Sequence, residues 1–108
     1  MKRLAALLLL TACSTPPIES QWVLAFTTSE NQCVYVNSTN ITKHNNAVYT
    51  VPIGIREACE GALNTDMIWV FNTQTHSIKD FVDNVWFPIE TDSAGAAIEY
   101  YLTTEYSN

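Results

Sequence analysis

The chain has 108 residues, 47% of them hydrophobic and 15% charged, and a formal net charge of −6. That length is enough for one domain. Five lysines and arginines against 11 aspartates and glutamates are too few to neutralise a phosphate backbone, which excludes nucleic acid as a partner.

Met1, Lys2 and Arg3 form a basic start, and Leu4 to Leu10 form an apolar run of seven residues. A permanent membrane span needs roughly 20, so the run predicts a removable export signal over residues 1–12. An ordinary signal has no special residue after its cleavage site, but here Leu10-Thr11-Ala12 is followed by a thiol, Cys13. This ending resembles the lipobox of bacterial lipoproteins. The resemblance implies that Cys13 is the lipidated first residue of the mature chain, palmitate-type acylation included. At about 0.8 kcal/mol per buried methylene, one acyl chain holds marginally and two suffice. Ser14 after the anchor resembles the default sorting to an outer membrane, so the expected location is the cell envelope, at that membrane. Residues 13–20 would then be a lipidated cysteine and tether, extended by Pro16 and Pro17, leaving 21–108 as one globular domain. Loss of Lys2 and Arg3 leaves three basic residues against 11 acidic ones, a side-chain charge of −8. Such a surface is repelled by anionic lipid, so the anchor, not charge, would hold the domain at the membrane.

Within the domain, Gln21 to Thr28 alternates Trp22, Leu24 and Phe26 with Val23, Ala25 and Thr27, which predicts a strand. Ser29 to Gln32 are turn formers, and Cys33 to Val36 resumes the β pattern as the partner in a hairpin. Asn37 to Asn46 is polar except for Ile41 and predicts an exposed excursion. Its two Asn-x-Thr triplets fit a glycosylation signal that a bacterial export route leaves unused. Ala47 to Ile55 reads as a third strand, with Pro52 and Gly54 marking its end or a bulge. Arg56 to Asn64 reads as irregular or one helical turn. Met67 to Phe71, apolar throughout, predicts a strand buried on both faces. After a turn over Asn72 to Thr75 two readings stand. Ile78, Phe81, Val82, Val85 and Trp86 fall at helical spacing, while a strand from His76 to Phe81 would pair back across a short loop. Asp92 or Ser93 can cap a last helix, on which Ala94, Ala97, Ile98, Tyr101 and Leu102 form one apolar face. Gly95 in its first turn weakens it.

Cys33 and Cys59 are the pair left once Cys13 is lipidated, and an even pair in an exported domain predicts a disulfide. It closes a loop of about 27 residues, for which chain entropy gives roughly 3 to 4 kcal/mol. The alternative, two thiols on a metal, lacks nearby histidines. His44 and His76 stand outside any metal-ligand spacing, and no G-x-S-x-G or glycine-rich phosphate loop occurs. The carboxylate pairs Glu57/Glu60, Asp80/Asp83 and Glu90/Asp92 lack the bending glycine and ligand density of a calcium loop, Gly61 beside Glu60 being the sole hint. The expectation is therefore a non-enzyme without metal or cofactor. The candidate binding residues are Lys43 and His44 in the polar excursion, whose side chains are neutral or basic in an acidic domain, with Tyr35 and Tyr49 beside it as exposed aromatics. Tyr100 and Tyr106 on the last helix mark the competing face.

Trp22, Cys33-Val34-Tyr35-Val36-Asn37, Ser38 to Ile41, Ala47-Val48-Tyr49, Cys59 and the run Trp86 to Ser93 before the last helix together resemble surface-adhesin protein E domains. That family usually ends its helix in a cysteine, which Tyr101-Leu102-Thr103 does not supply. The resemblance implies an antiparallel sheet packed on helices and a lipoprotein that binds host or envelope macromolecules. The expected fold is thus α+β: an antiparallel sheet of four to six strands with a helix over Ser93 to Thr104 on one face. The expected function is an outer-membrane lipoprotein acting as a binding module for a protein or host macromolecule, with adhesion as one use. The alternative is a periplasm-facing envelope accessory or a receptor-blocking lipoprotein.

Overall fold

The computed structural model describes residues 19–106. The signal peptide, Cys13 and most of the tether lie outside them. Glu19 to Gln21 make a turn, closed by Trp22 N–H donating to the Glu19 carbonyl at 3.0 Å, and from there the chain builds one antiparallel sheet. Its strands are β1 (Trp22–Thr27), β2 (Cys33–Asn37), β3 (Thr42–Lys43), β4 (Val48–Arg56), β5 (Asn64–Asn72), β6 (Ser77–Asp80) and β7 (Phe87–Pro88). They lie in the order β1-β2-β4-β5-β6-β7, with β3 paired to β4 beside β2. The helix α1 (Ala94–Tyr101) follows, and a π-helical turn over Leu102–Tyr106 continues it. The α+β architecture is as expected. The sheet has seven strands, more than the four to six expected, because β3 and β7 are two residues each and too short to leave a periodic signal.

β1 departs from simple alternation. Leu24 pairs with Tyr35 but Phe26 pairs with Val34, so Ala25 is an extra residue on the β1 side. Such a bulge switches the face of everything beyond it. Val23 and Phe26 consequently both pack on the core, and Leu24 is left 52% exposed on an edge strand. β4 is the central strand, and β2 and β3 share one of its edges: β2 pairs with Ile53 to Arg56, β3 with Tyr49 and Thr50. Pro52, with no N–H to donate, falls between them, so it marks a gap in the ladder and not the end of the strand. A Cβ at Gly54 would lie 3.0 Å from the Leu63 side chain, so glycine here admits close packing of Leu63 on the sheet.

The region left open between helix and strand is a strand as far as Asp80. Phe71 pairs with Ile78 and Asn72 with Ser77, across a turn in which Asn72 Oδ1 accepts from the N–H groups of Gln74 and Thr75 at 3.0 and 3.1 Å. His76 closes that turn with φ at +55°. Residues 81–86 then form a loop, so of the residues at helical spacing Ile78 lies in β6 and Phe81, Val82, Val85 and Trp86 in the loop.

The core lies between one sheet face and α1. It comprises Val34, Val36, Tyr49, Val51, Ile53, Phe71, Ile98 and Leu102, with Ile41 closing one side. Ser93 caps α1 by accepting from the Ala96 N–H at 3.1 Å, while its own hydroxyl donates to the Glu90 carbonyl at 2.6 Å. The expected burial on both faces holds for β5 only at Val70 and Phe71, which face opposite sides and are both buried, whereas Ile68, on the face away from α1, is 36% exposed.

At the top of the sheet Cys33 and Cys59 form the predicted disulfide, with Cα atoms 5.0 Å apart. Ala58 and Cys59 carry φ of +52° and +55°, a left-handed conformation that costs a non-glycine residue roughly 1–2 kcal/mol. The bond to Cys33 and the buried Arg56 hold it: Arg56 Nε donates to the carbonyls of Glu60 at 3.2 Å and Gly61 at 3.1 Å. Arg56 Nη2 is buried without a hydrogen-bond partner among the described residues.

Candidate functional site

The excursion from Asn37 to Asn46 is an ordered platform. Asn37 is buried, and its Oδ1 accepts from the N–H and hydroxyl of Thr39 at 3.2 and 3.0 Å. Ile41 turns inward to the core, and its carbonyl accepts from the Tyr106 hydroxyl at 3.1 Å. Thr42 and Lys43 then pair with Thr50 and Tyr49 as β3. The hairpin closes where His44 N–H donates to the Val48 carbonyl at 2.8 Å, and Asn45 Oδ1 accepts from the N–H groups of Ala47 and Val48. Asparagine in this role replaces a backbone turn with its own side chain, which is why the polar stretch folds without an apolar core of its own.

Lys43 and His44 are both exposed here, but they do not converge. Lys43 is the cross-strand partner of Tyr49, and its Nζ lies 5.7 Å from the Tyr49 ring centroid, on the helix side. His44 Nε2 lies 2.6 Å from Thr50 Oγ1, and Thr50 faces the opposite side because successive strand residues alternate. One platform therefore offers a cation to one side and an imidazole to the other.

Tyr49 is not an exposed aromatic. It is 2% exposed, since its register opposite Phe71 puts it on the helix-covered face. Its ring meets Tyr106 edge-on at 6.0 Å and 78°. Its role is core volume and a π face beneath Lys43. Tyr35 is half-buried on the open face, paired with Leu24 and Gly54. Gly54 is five residues further along β4 than Tyr49, about 17 Å by the rise of a strand, so Tyr35 is not part of the Lys43 and His44 platform. Tyr100 is 68% exposed on α1, above a groove of about 470 Å³ between α1 and β1 lined by Leu24, Ala97, Tyr101 and Glu105. Burial, with Glu105 and Tyr106 adding to it, raises the Tyr101 phenol above its ordinary value.

His76 has a role the sequence did not signal. Its Nδ1 lies 2.8 Å from Glu99 Oε2 and ties the β5–β6 turn to α1. The pair is 23 residues apart, and no local pattern marks it. Among the described residues no group of three His, Cys, Asp or Glu is placed to hold a metal ion, and no helix is long and apolar enough to cross a membrane.

Comparison with family models, with curated proteins and with solved structures finds no match in any of the three. The likeness to surface-adhesin protein E domains therefore rests on the residues that carry it.

Proposed function

We propose that this chain is a lipoprotein of the cell envelope, anchored through Cys13 in the outer membrane, whose domain is a non-catalytic binding module with adhesion as one use. The observation that carries the reading is the order of residues 1–13: basic start, short apolar run, then Leu-Thr-Ala-Cys. The domain is consistent with such a role, for its sheet carries a hydrogen-bonded polar platform at β3, and packed scaffolds commonly present recognition on their loops. Lys43 is the part of that platform suited to an anionic partner, because it is one of three lysines and arginines in the mature chain.

The test has two arms. Metabolic labelling with a fatty acid should mark the wild type and not Cys13→Ala, and equal labelling would remove the anchor. Protease shaving of intact cells should cleave the domain if it faces outward as an adhesin. Protection would assign the periplasm-facing accessory or receptor blocker instead. With a partner captured by crosslinking, Lys43→Ala should weaken capture more than His44→Ala, since the two side chains face opposite sides. Loss through Tyr100→Ala alone would move the site to α1.

A further inference from the structure

Five of the eight exposed large apolar side chains among the described residues lie in the single stretch Phe81 to Phe87. Val82 is 83% exposed, Phe87 58%, Val85 56%, Phe81 54% and Trp86 41%. Exposed apolar residues scattered singly are ordinary, but a contiguous group of this kind marks a contact surface. Ile68, also exposed, adjoins it, because Phe81 N–H donates to the Ile68 carbonyl at 3.0 Å.

We infer that the β6–β7 loop is a second membrane contact, inserting Phe81, Val82, Val85, Trp86 and Phe87 into the interfacial layer of the bilayer that holds the Cys13 anchor. The inference rests on the anchored reading above. Three observations select lipid as the occupant.

The first is that the opening turn of the loop pairs its own backbone groups. Besides the Phe81 bond, Val82 N–H donates to Asp80 Oδ1 at 3.1 Å, Asp83 N–H to the Asp80 carbonyl at 3.1 Å, and Lys79 Nζ to the Asp83 carbonyl at 3.0 Å. Backbone groups that approach lipid are favoured when they are paired internally. The second is the pairing of Trp86 with Lys79, whose Nζ lies 5.4 Å from the ring centroid. Tryptophan favours the headgroup level, and a lysine stem lies along apolar surface while its ammonium stays in water.

The third is reach. Trp22 pairs with Asn37, which follows Val36 opposite Ile53, and Ile68 pairs with Pro52. The start of β1 and the start of the loop are therefore level, on opposite sides of β2, β4 and β5. Four strand spacings separate them, about 19 Å. Cys13 is six residues before Glu19, a covalent span of at most about 21 Å. Anchor and loop can thus rest on one surface. Asp80 and Asp83 against Lys79 leave the loop net acidic, which favours a zwitterionic headgroup layer over an anionic one.

The experiment uses the full lipidated mature protein reconstituted into phosphatidylethanolamine vesicles, with and without brominated acyl chains. Brominated chains should quench tryptophan fluorescence in the wild type, and that quenching should be lost in Trp86→Phe, which isolates Trp86 from Trp22 and Trp69. Val82→Asp with Phe87→Asp should abolish Trp86 quenching while the protein still floats with the vesicles, and admixed phosphatidylglycerol should weaken it. Flotation with Trp86 unquenched would overturn the loop contact and leave the anchor standing. Trp86 unquenched by lipid yet shielded from aqueous acrylamide would overturn it in favour of a protein contact. Absence of lipid on Cys13 by mass analysis would overturn the anchor, and this inference with it.

Discussion

A tyrosine's chemistry here depends on which face of the sheet its register gives it. Tyr49 is core because it stands opposite Phe71, while Tyr35, on β2, stands on the open face opposite Leu24 and Gly54. Tyr101 is the residue whose environment has a measurable consequence. Burial and Glu105 raise its phenol, so the folded state holds this proton more tightly than the unfolded chain does. By linkage, its ionisation costs folding stability from about pH 10 upward, where the unfolded phenol begins to lose its proton, and costs nothing below that. Urea titrations at stepped alkaline pH should therefore show wild-type stability falling more steeply than that of Tyr101→Phe. Parallel profiles would show that the phenol is unperturbed.

Among the elements, α1 is the one whose start the sequence spells out. Ser93 was a candidate cap, and its hydroxyl accepts from Ala96 N–H. The helix has eight residues before its π-helical turn, so an unsatisfied first turn matters. Ser93→Ala should cost about 1 kcal/mol in chemical denaturation, whereas Ser93→Thr, which keeps both the acceptor for Ala96 N–H and the donor to the Glu90 carbonyl, should cost little. An equal loss in both would place the effect elsewhere than the cap. The neighbouring β6–β7 region was harder to read for a physical reason. Its apolar residues repeat at helical spacing yet those after Ile78 stay in the loop, because β6 is already committed to β5 through Phe71 and Ile78.

At the scale of the molecule, one sheet face is covered by a short helix and the other is largely open, so the apolar core is small and the covalent bond matters. Domains of this length are stable by about 5 to 10 kcal/mol, of which the Cys33–Cys59 bridge supplies roughly 3 to 4 kcal/mol on the chain-entropy estimate. Replacing both cysteines with serine should lower the urea midpoint by about a third to four-fifths. The same change should release the left-handed pair Ala58 and Cys59, read as faster amide exchange over residues 57–61. An unchanged midpoint would show that the bridge contributes nothing.

Local patterns determined much of this protein: the antiparallel strands from their β-branched and aromatic alternation, the C-terminal helix from its cap and apolar stripe, and the disulfide from Cys33 and Cys59 being the pair left once Cys13 is set aside. The lipid anchor is a reading of residues 1–13 that the fold does not bear on. Tertiary structure alone decided which face each strand residue occupies. The Ala25 bulge reverses β1 beyond Leu24, and the shared edge of β4 accommodates Pro52. It also decided that Lys43 and His44 point apart, that Tyr49 is buried, that His76 reaches Glu99, and that Phe81 to Phe87 stand exposed. Each of these depends on strand register or on pairing between residues far apart in the chain. A shift of one residue reverses the facing of a strand, and local periodicity contains no record of it.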